Sequence, residues 1–375
     1  VGLTLSGGAA DVGGGICNYG TLTLSDCSIS GNTASDEWIG SGGGVANRGW
    51  LNIVDCLIRG NHAQMIGGGI DNLGELFVEG TTITRNTAGD SGGGIINGGS
   101  ASLSNSTISE NDAQVYAGGV YNNGAMSLKT CTIIRNTAGA DGGGILSLDT
   151  IEMGNCSVLG NVAQYDGGGV DNRGDITLIN CVIAGNGAAD GGVLHHGQGG
   201  GLYHNGPSCM LYNCSVSGNQ ALDGGGVYSD FGTVELNNTI VALNQAVIND
   251  NTVGWIDDNS SMIGGDPIYE RNPSAGVDGD WGTNDDDYGD LRLHNGSPAV
   301  DAGNDLYLPV DALDLDDDGD QTETLPVDMA EMARIFGLSV DVGAYEYAPS
   351  LFHVVLLSPN YYVYPGFTDA DIVFS

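Results

Sequence analysis

The residues best suited to chemistry crowd into the last third of the chain. In Asp314-Leu315-Asp316-Asp317-Asp318-Gly319-Asp320, the carboxylates of Asp314, Asp316 and Asp318 alternate ahead of a glycine, as in the first half of an EF-hand loop. Alternate carboxylates can converge on one hard cation, and Gly319 permits the sharp turn this needs. The twelfth position is Leu325 instead of a bidentate glutamate. Asp320 lies in the same run, and Glu323 or Asp328 would have to close the shell. A second run, Asp278-Gly279-Asp280-Trp281-Gly282-Thr283-Asn284-Asp285-Asp286-Asp287, crowds five carboxylates into ten residues that would repel one another without a cation. Calcium is the expected cofactor for both, with Asp278, Asp280, Asp285 and Asp287 as ligands in the second.

Other candidates are sparser. His195-His196-Gly197 and later His204 fall in an eight-residue expansion of an otherwise regular pattern, and a histidine there could serve as base or metal ligand. Tyr121, Tyr203 and Tyr228 fall in a column read as outward-facing, where rings could stack on a sugar or a protein partner. Asp71 and Asp171 share that column but lie four repeats apart, about 19 Å, too far to act as the paired carboxylates of a glycosidase. Arg48 near Asp71 and Arg173 near Asp171 read as surface salt bridges.

These residues hang on a repeat. Asn32, Asn61, Asn86, Asn111, Asn136, Asn161, Asn186, Asn219 and Asn244 are spaced by 29, 25, 25, 25, 25, 25, 33 and 25 residues, and alanine always follows two positions later. Three positions before each asparagine stands a β-branched residue, from Ile29 to Val241. Eight positions before it comes a second apolar column, from Leu24 to Leu236, and two residues earlier a third, alternating with polar residues as in Leu22-Thr23-Leu24-Ser25. A further apolar residue follows each glycine cluster, as in Gly42-Gly43-Gly44-Val45. The period is that of strands. It predicts an all-β fold, a right-handed parallel β-helix of about nine coils with three short strands each, roughly 40 Å long.

Within such a coil the asparagines read as structural, since asparagine tolerates left-handed turns and its amide can bond the next coil. Cys27, Cys56, Cys131, Cys156, Cys181 and Cys214 share a column with Thr81, Ser106 and Thr239, which suggests a packing slot for buried thiols. No CxxC pair occurs and stacked thiols share one direction, which argues against disulfides or a metal site. Cys209 falls in an apolar column, and Cys17, in the outward column, is the expected reactive thiol.

Nine basic residues against 47 acidic ones give a net charge of −38, which disfavours nucleic acid and anionic membrane surfaces as partners. There is no run of 18 apolar residues, so no membrane-spanning helix is expected. The start at Val1 suggests a processed chain or a fragment. The divisions expected are a β-helix over 1–265, an acidic cap over 266–349 that closes the open end of the helix, and a tail or start of a further domain over 350–375.

The GGG[IV]-x-N and x-x-N repeats resemble those of bacterial β-helix surface proteins of the polymorphic outer membrane protein type. The string Gly296-Ser297-Pro298-Ala299-Val300-Asp301-Ala302-Gly303, with Val340-Asp341-Val342-Gly343-Ala344-Tyr345-Glu346, resembles the choice-of-anchor Q module. The resemblance implies an extracellular or cell-surface protein more firmly than any activity. The expected function is a structural or adhesive rod that associates with itself or with other surface or matrix proteins. A polysaccharide lyase, a glycoside hydrolase or a glycan-binding module is the competing reading.

Overall fold

In the computed structural model, which describes residues 1–189 and 197–349, the repeat winds into a parallel β-solenoid. Equivalent strands of successive coils pair in parallel and in register, forming one sheet of eleven strands and three of ten. One coil runs Thr82–Thr84, Thr87–Ala88, Ile95–Asn97 and Ser100–Ser104. The two-residue strand carrying the invariant alanine adds a fourth sheet to the three expected from sequence, being too short to show any alternation. Partial coils at Thr4–Ser6 and Met262–Ile263 extend the nine asparagine-bearing repeats at either end. The apolar columns form one continuous core from Leu24 to Val241.

Each coil turns three corners through left-handed backbone: Asn105 (φ 49°), Glu110 (φ 52°) and Ala117 (φ 56°) mark them in one coil. The two glycines that follow the third corner are required for a different reason. A Cβ on Gly68 would lie 2.4 Å from Thr87 O and 2.5 Å from Gly93 O, and one on Gly69 would lie 2.5 Å from Gly94 O. The next coil's backbone occupies that space.

The asparagine column is a hydrogen-bonded ladder running the length of the rod. Asn86 Oδ1 accepts from both the backbone N–H and the Nδ2 of Asn61, each at 3.0 Å, while Asn86 Nδ2 donates to Ile58 O and to Asn111 Oδ1, also at 3.0 Å. The same pattern continues to Asn244, whose Nδ2 reaches Asn251 Oδ1 at 3.2 Å. A second ladder runs beside it after the glycine clusters: Asn18, Asn47, Asn72, Asn97 and Asn122 donate in turn from Nδ2 to the next residue up, as far as Ser147 Oγ, and the column resumes with Asn172 and His204.

The acidic module does not sit over the open end of the solenoid. It lies along the flank, with contacts that run from Lys129 to Met262, because the outward positions there have become apolar. Where an earlier coil presents Thr82 and Thr84, later ones present Val182 with Ala184 and Ile240 with Ala242, which pack against Tyr269, Leu291, Leu293, Ala299 and Val342. The two strings that resemble the choice-of-anchor module bind each other: Asp341 Oδ1 accepts from Asp301 N at 2.6 Å, and Val342 N donates to Ala299 O. Arg334, fully buried, donates to the carbonyls of Asp341, Gly343 and Ala344 and to Asn180 Oδ1 on the rod.

The ladder makes a direct prediction. Asn136→Ala strips the acceptor from the backbone N–H of Asn111 and a donor from Ile108 O. It is expected to cost about 2–4 kcal/mol in urea unfolding, against no more than about 0.5 kcal/mol for Asn123→Ala at an exposed position. Equal effects from the two would remove the ladder from the account.

Candidate functional site

The acidic side chains divide into those that the backbone satisfies and those it does not. Asp328, a proposed calcium ligand, accepts from Ala330 N and Met332 N through Oδ1 and from Glu346 N through Oδ2, and stands apart from the metal-like cluster. Asp320 accepts from Thr322 N and Thr322 Oγ1 and is likewise outside it. In the 278–287 loop, Asp278 accepts from Asp280 N, Asp285 from Val277 N and Thr283 Oγ1, and Asp287 pairs with Arg271 at 2.7 Å. Among the described residues these carboxylates form no converging group, so the structure does not gather Asp278, Asp280, Asp285 and Asp287 around one point. Backbone amides and Arg271 already relieve the repulsion that suggested a cation there. Trp281 anchors that loop to the rod at Gly185 and stacks on Tyr288, ring centroids 6.0 Å apart.

The 311–323 segment is different. Among the described residues, two groups bring three carboxylate oxygens within 4.8 Å of one another: Asp311 with Asp316 and Glu323, and Asp314 with Asp316 and Asp318. Asp311 and Glu323 face each other because the segments carrying them bridge in antiparallel fashion at Val310 and Thr324, with Asp311 N bonded to Glu323 O at 2.9 Å. Asp314 and Asp317 take left-handed backbone (φ 54° and 61°) and Gly319 follows at φ 90°, which coils the loop. The outer oxygens are occupied by the loop's own amides: Asp314 Oδ1 accepts from Gly319 N, Asp316 Oδ1 from Asp318 N and Asp318 Oδ1 from Asp320 N. The inner ones are not. Asp311 Oδ1 and Glu323 Oε1 are buried without a hydrogen-bond partner, although Asp311 Oδ2 holds Leu315 N at 2.8 Å. Burial raises both residues from their ordinary values; the neighbouring carboxylates add to this, and at Asp311 the bond from Leu315 N opposes it. This acidic group could hold a metal ion. Asp311 carried no sequence signal of its own, since it precedes the alternating run.

The face after the glycine clusters is covered where the sequence reading had it open. Asp71 and Asp171 are buried, and so is Tyr203, because the segment ahead of each cluster folds back at its left-handed glycine: a Cβ on Gly67 would lie 2.9 Å from Asp71 Cβ. The two salt bridges are therefore not surface pairs. Arg48 Nη2 meets Asp71 Oδ2 at 2.6 Å, and Arg173 Nη2 lies 2.6 Å from both Asp171 Oδ2 and Asp141 Oδ2, with the Asp71 and Asp171 side chains 2% and 0% exposed. Burial raises Asp171 to about 7, against the downward pull of Arg173. Removing Arg173 would strand a buried charge.

Tyr203 and Tyr228 stack on each other, centroids 5.8 Å apart, and Tyr203 Oη bonds Asp230, so these rings meet each other before any ligand. Tyr121 is half-buried in the same column. His195 and His196 lie outside the described residues. His204 is part of the second ladder: Asn172 Nδ2 donates to His204 Nδ1 at 3.0 Å, and the buried Nε2 has no partner. The cysteine column proves to be a hydrogen-bonding slot as well as a packing one. Cys27 N donates to Cys56 Sγ, Cys56 N to Thr81 Oγ1 and Thr81 N to Ser106 Oγ, while Cys56 Sγ, Thr81 Oγ1 and Ser106 Oγ each donate to the carbonyl two residues back. This is why thiol and hydroxyl interchange. All eight cysteines are free.

Fold and site together define a parallel β-solenoid with an acidic flank module, and no helix among the described residues is long and apolar enough to cross a membrane. Comparison with models of protein families, with curated proteins and with solved structures gave no match.

Two outcomes follow. Only Cys17 is exposed, so a native thiol titration is expected to show one fast group, abolished by Cys17→Ser, and eight after unfolding; several fast native thiols would contradict the slot. Burial lowers the affinity of His204 for a proton, so the unfolded chain binds it more readily. This contribution to stability is whole above about pH 6.5 and falls as the pH drops below it. Asp171, raised to about 7, acts in the opposite sense and stabilises as pH falls, so the comparison must be with His204→Asn, which is expected to flatten the acid limb of the unfolding profile. Parallel profiles for the two proteins would refute the role.

Proposed function

We propose that the chain is the rigid, calcium-stabilised rod of an extracellular or cell-surface protein, structural or adhesive in role, that associates with its own kind or with other surface or matrix components. One observation carries this reading: the polar columns of the repeat are absorbed by ladders that join coil to coil, while unpartnered buried carboxylate oxygens gather in the flank module. A side chain that bonds the coils above and below it stiffens the rod and is not available to a substrate.

Calcium suits the module because the candidate ligands are all carboxylate oxygens, with neither thiol nor imidazole among them. A cation there also offsets part of the net charge of −38. The calcium-rich extracellular medium fits a site of modest affinity. The thiols fit that location too, since seven of the eight are shielded from oxidants. The resemblance to choice-of-anchor Q surface proteins points the same way. Asp141 and Asp171, an acidic pair beside a basic residue on that face, are both bound to Arg173, which favours the structural reading over an acid–base site.

Calorimetry with and without chelator tests the calcium claim. If the ion concentration is about tenfold above Kd, binding stabilises the module by about 1.4 kcal/mol, so EDTA is expected to lower its melting temperature by several degrees and excess calcium to restore it. Superimposable traces would end the proposal.

A further inference from the structure

The alternating aspartates that advertise a calcium loop in the sequence are not the ones left waiting for a ligand. Asp314, Asp316 and Asp318 each receive a backbone N–H from within the loop, as aspartates do in ordinary turns. The fully buried Asp311 has an unpartnered Oδ1 and Glu323 an unpartnered, buried Oε1, and carboxylate oxygens of these two residues and of Asp316 lie within 4.8 Å of one another. A buried carboxylate oxygen without a donor is costly, and three carboxylates within 4.8 Å compound that cost. The nearby ammonium of Lys129 relieves it only in part: Lys129 Nζ bonds Asp314 O and Asp317 Oδ1 and gives no hydrogen bond to Asp311 Oδ1 or Glu323 Oε1.

The same residues carry the loop's grip on the rod. Asp311 Oδ2 fixes Leu315 N, and the side chains of Leu315 and Leu313 lie over Gly154 so closely that a Cβ there would come within 2.6 Å and 2.7 Å of them. Leu315 also packs with Leu325 against Ile179, with Tyr212 alongside.

We propose that a calcium ion sits on the inner side of the loop, held by Asp311, Asp316 and Glu323, and that by fixing Asp311 it clasps Leu313 and Leu315 onto the rod. Asp314 and Asp318 then shape the loop and do not hold the ion. This rests on the calcium reading above and assigns its site. The clasp couples metal to packing: without the ion, the repulsion among the three carboxylates opens the bridge between Val310 and Thr324, and the flank at Gly154 and Ile179 is uncovered.

The test uses the full chain, with isothermal titration of calcium and hydrogen exchange followed over 151–154, 175–179 and 208–212. Asp311→Asn and Glu323→Gln are each expected to weaken calcium binding by at least about tenfold, and Asp318→Asn to change it by no more than about threefold. Chelation of the wild type is expected to accelerate exchange in the three rod segments, and Leu315→Ala to accelerate it while calcium still binds. A wild type that takes up no calcium sinks the calcium reading itself. Binding retained in Asp311→Asn and Glu323→Gln but lost in Asp318→Asn overturns only the inner site. Exchange in the rod segments that ignores chelation overturns the clasp. Asp311→Asn keeps an oxygen for Leu315 N, and Glu323→Gln provides an independent variant should the first misfold.

Discussion

Coils stacked at the spacing of a β-ladder leave every corner with amides that point along the rod, and the molecule depends on giving each of them a partner. The strands look after their own backbone groups. At the corners the chain leaves the extended region, and a side chain or the neighbouring coil must supply what the ladder cannot. Three devices do so at fixed places in the coil: the asparagine beside the short strand, the asparagine after the glycines, and the thiol or hydroxyl between the longest strand and the next. At the glycine corner the coils approach so closely that backbone meets backbone, as in Gly93 N to Ala117 O and Gly94 N to Gly118 O. Each device works because a side chain able to make the same bond recurs one coil on, which makes the repeat a physical requirement.

That requirement explains where variation is tolerated. The corner before the ladder asparagine holds Gly60, Arg85, Glu110 or Arg135, since a Cβ on Gly60 would meet nothing within 4 Å and only the left-handed backbone must be borne. The second glycine ladder position tolerates no such exchange, because the neighbouring coil occupies the space. In the second asparagine ladder Ser147 and His204 stand in, and His204 is the substitution that leaves an orphaned nitrogen.

The charge of −38 is managed by the same currency of backbone amides. Asp301, Asp328, Asp341 and Glu346 accept main-chain N–H groups within the flank module, so much of the acidity serves as internal turn-building. The 278–287 loop, though as acidic as the other, follows that rule too. The exception at Asp311 and Glu323 stands out because nearly all the acids around it conform.

How much of this was legible depended on whether partners lie one repeat apart or many. The 25-residue period, the inward columns, the glycine corners and the structural role of Asn32 through Asn244 could be read directly, because each position recurs often enough to expose its constraint and alternation along a strand reports its two faces. A two-residue strand has no alternation to report, so the fourth sheet was not visible, and the covered face around Asp171 depends on how a turn folds back. The non-repeating module shows the limit more sharply. Its sequence announces Asp314, Asp316 and Asp318 through local spacing, yet spacing does not say which oxygens the loop's own amides will take. Only the tertiary structure brings Asp311 opposite Glu323, sets Lys129 against Asp317 from 188 residues away, and lays the module along the flank in place of the rod's end. Pairings of that kind are decided by packing between segments that share no period, and no local pattern carries them.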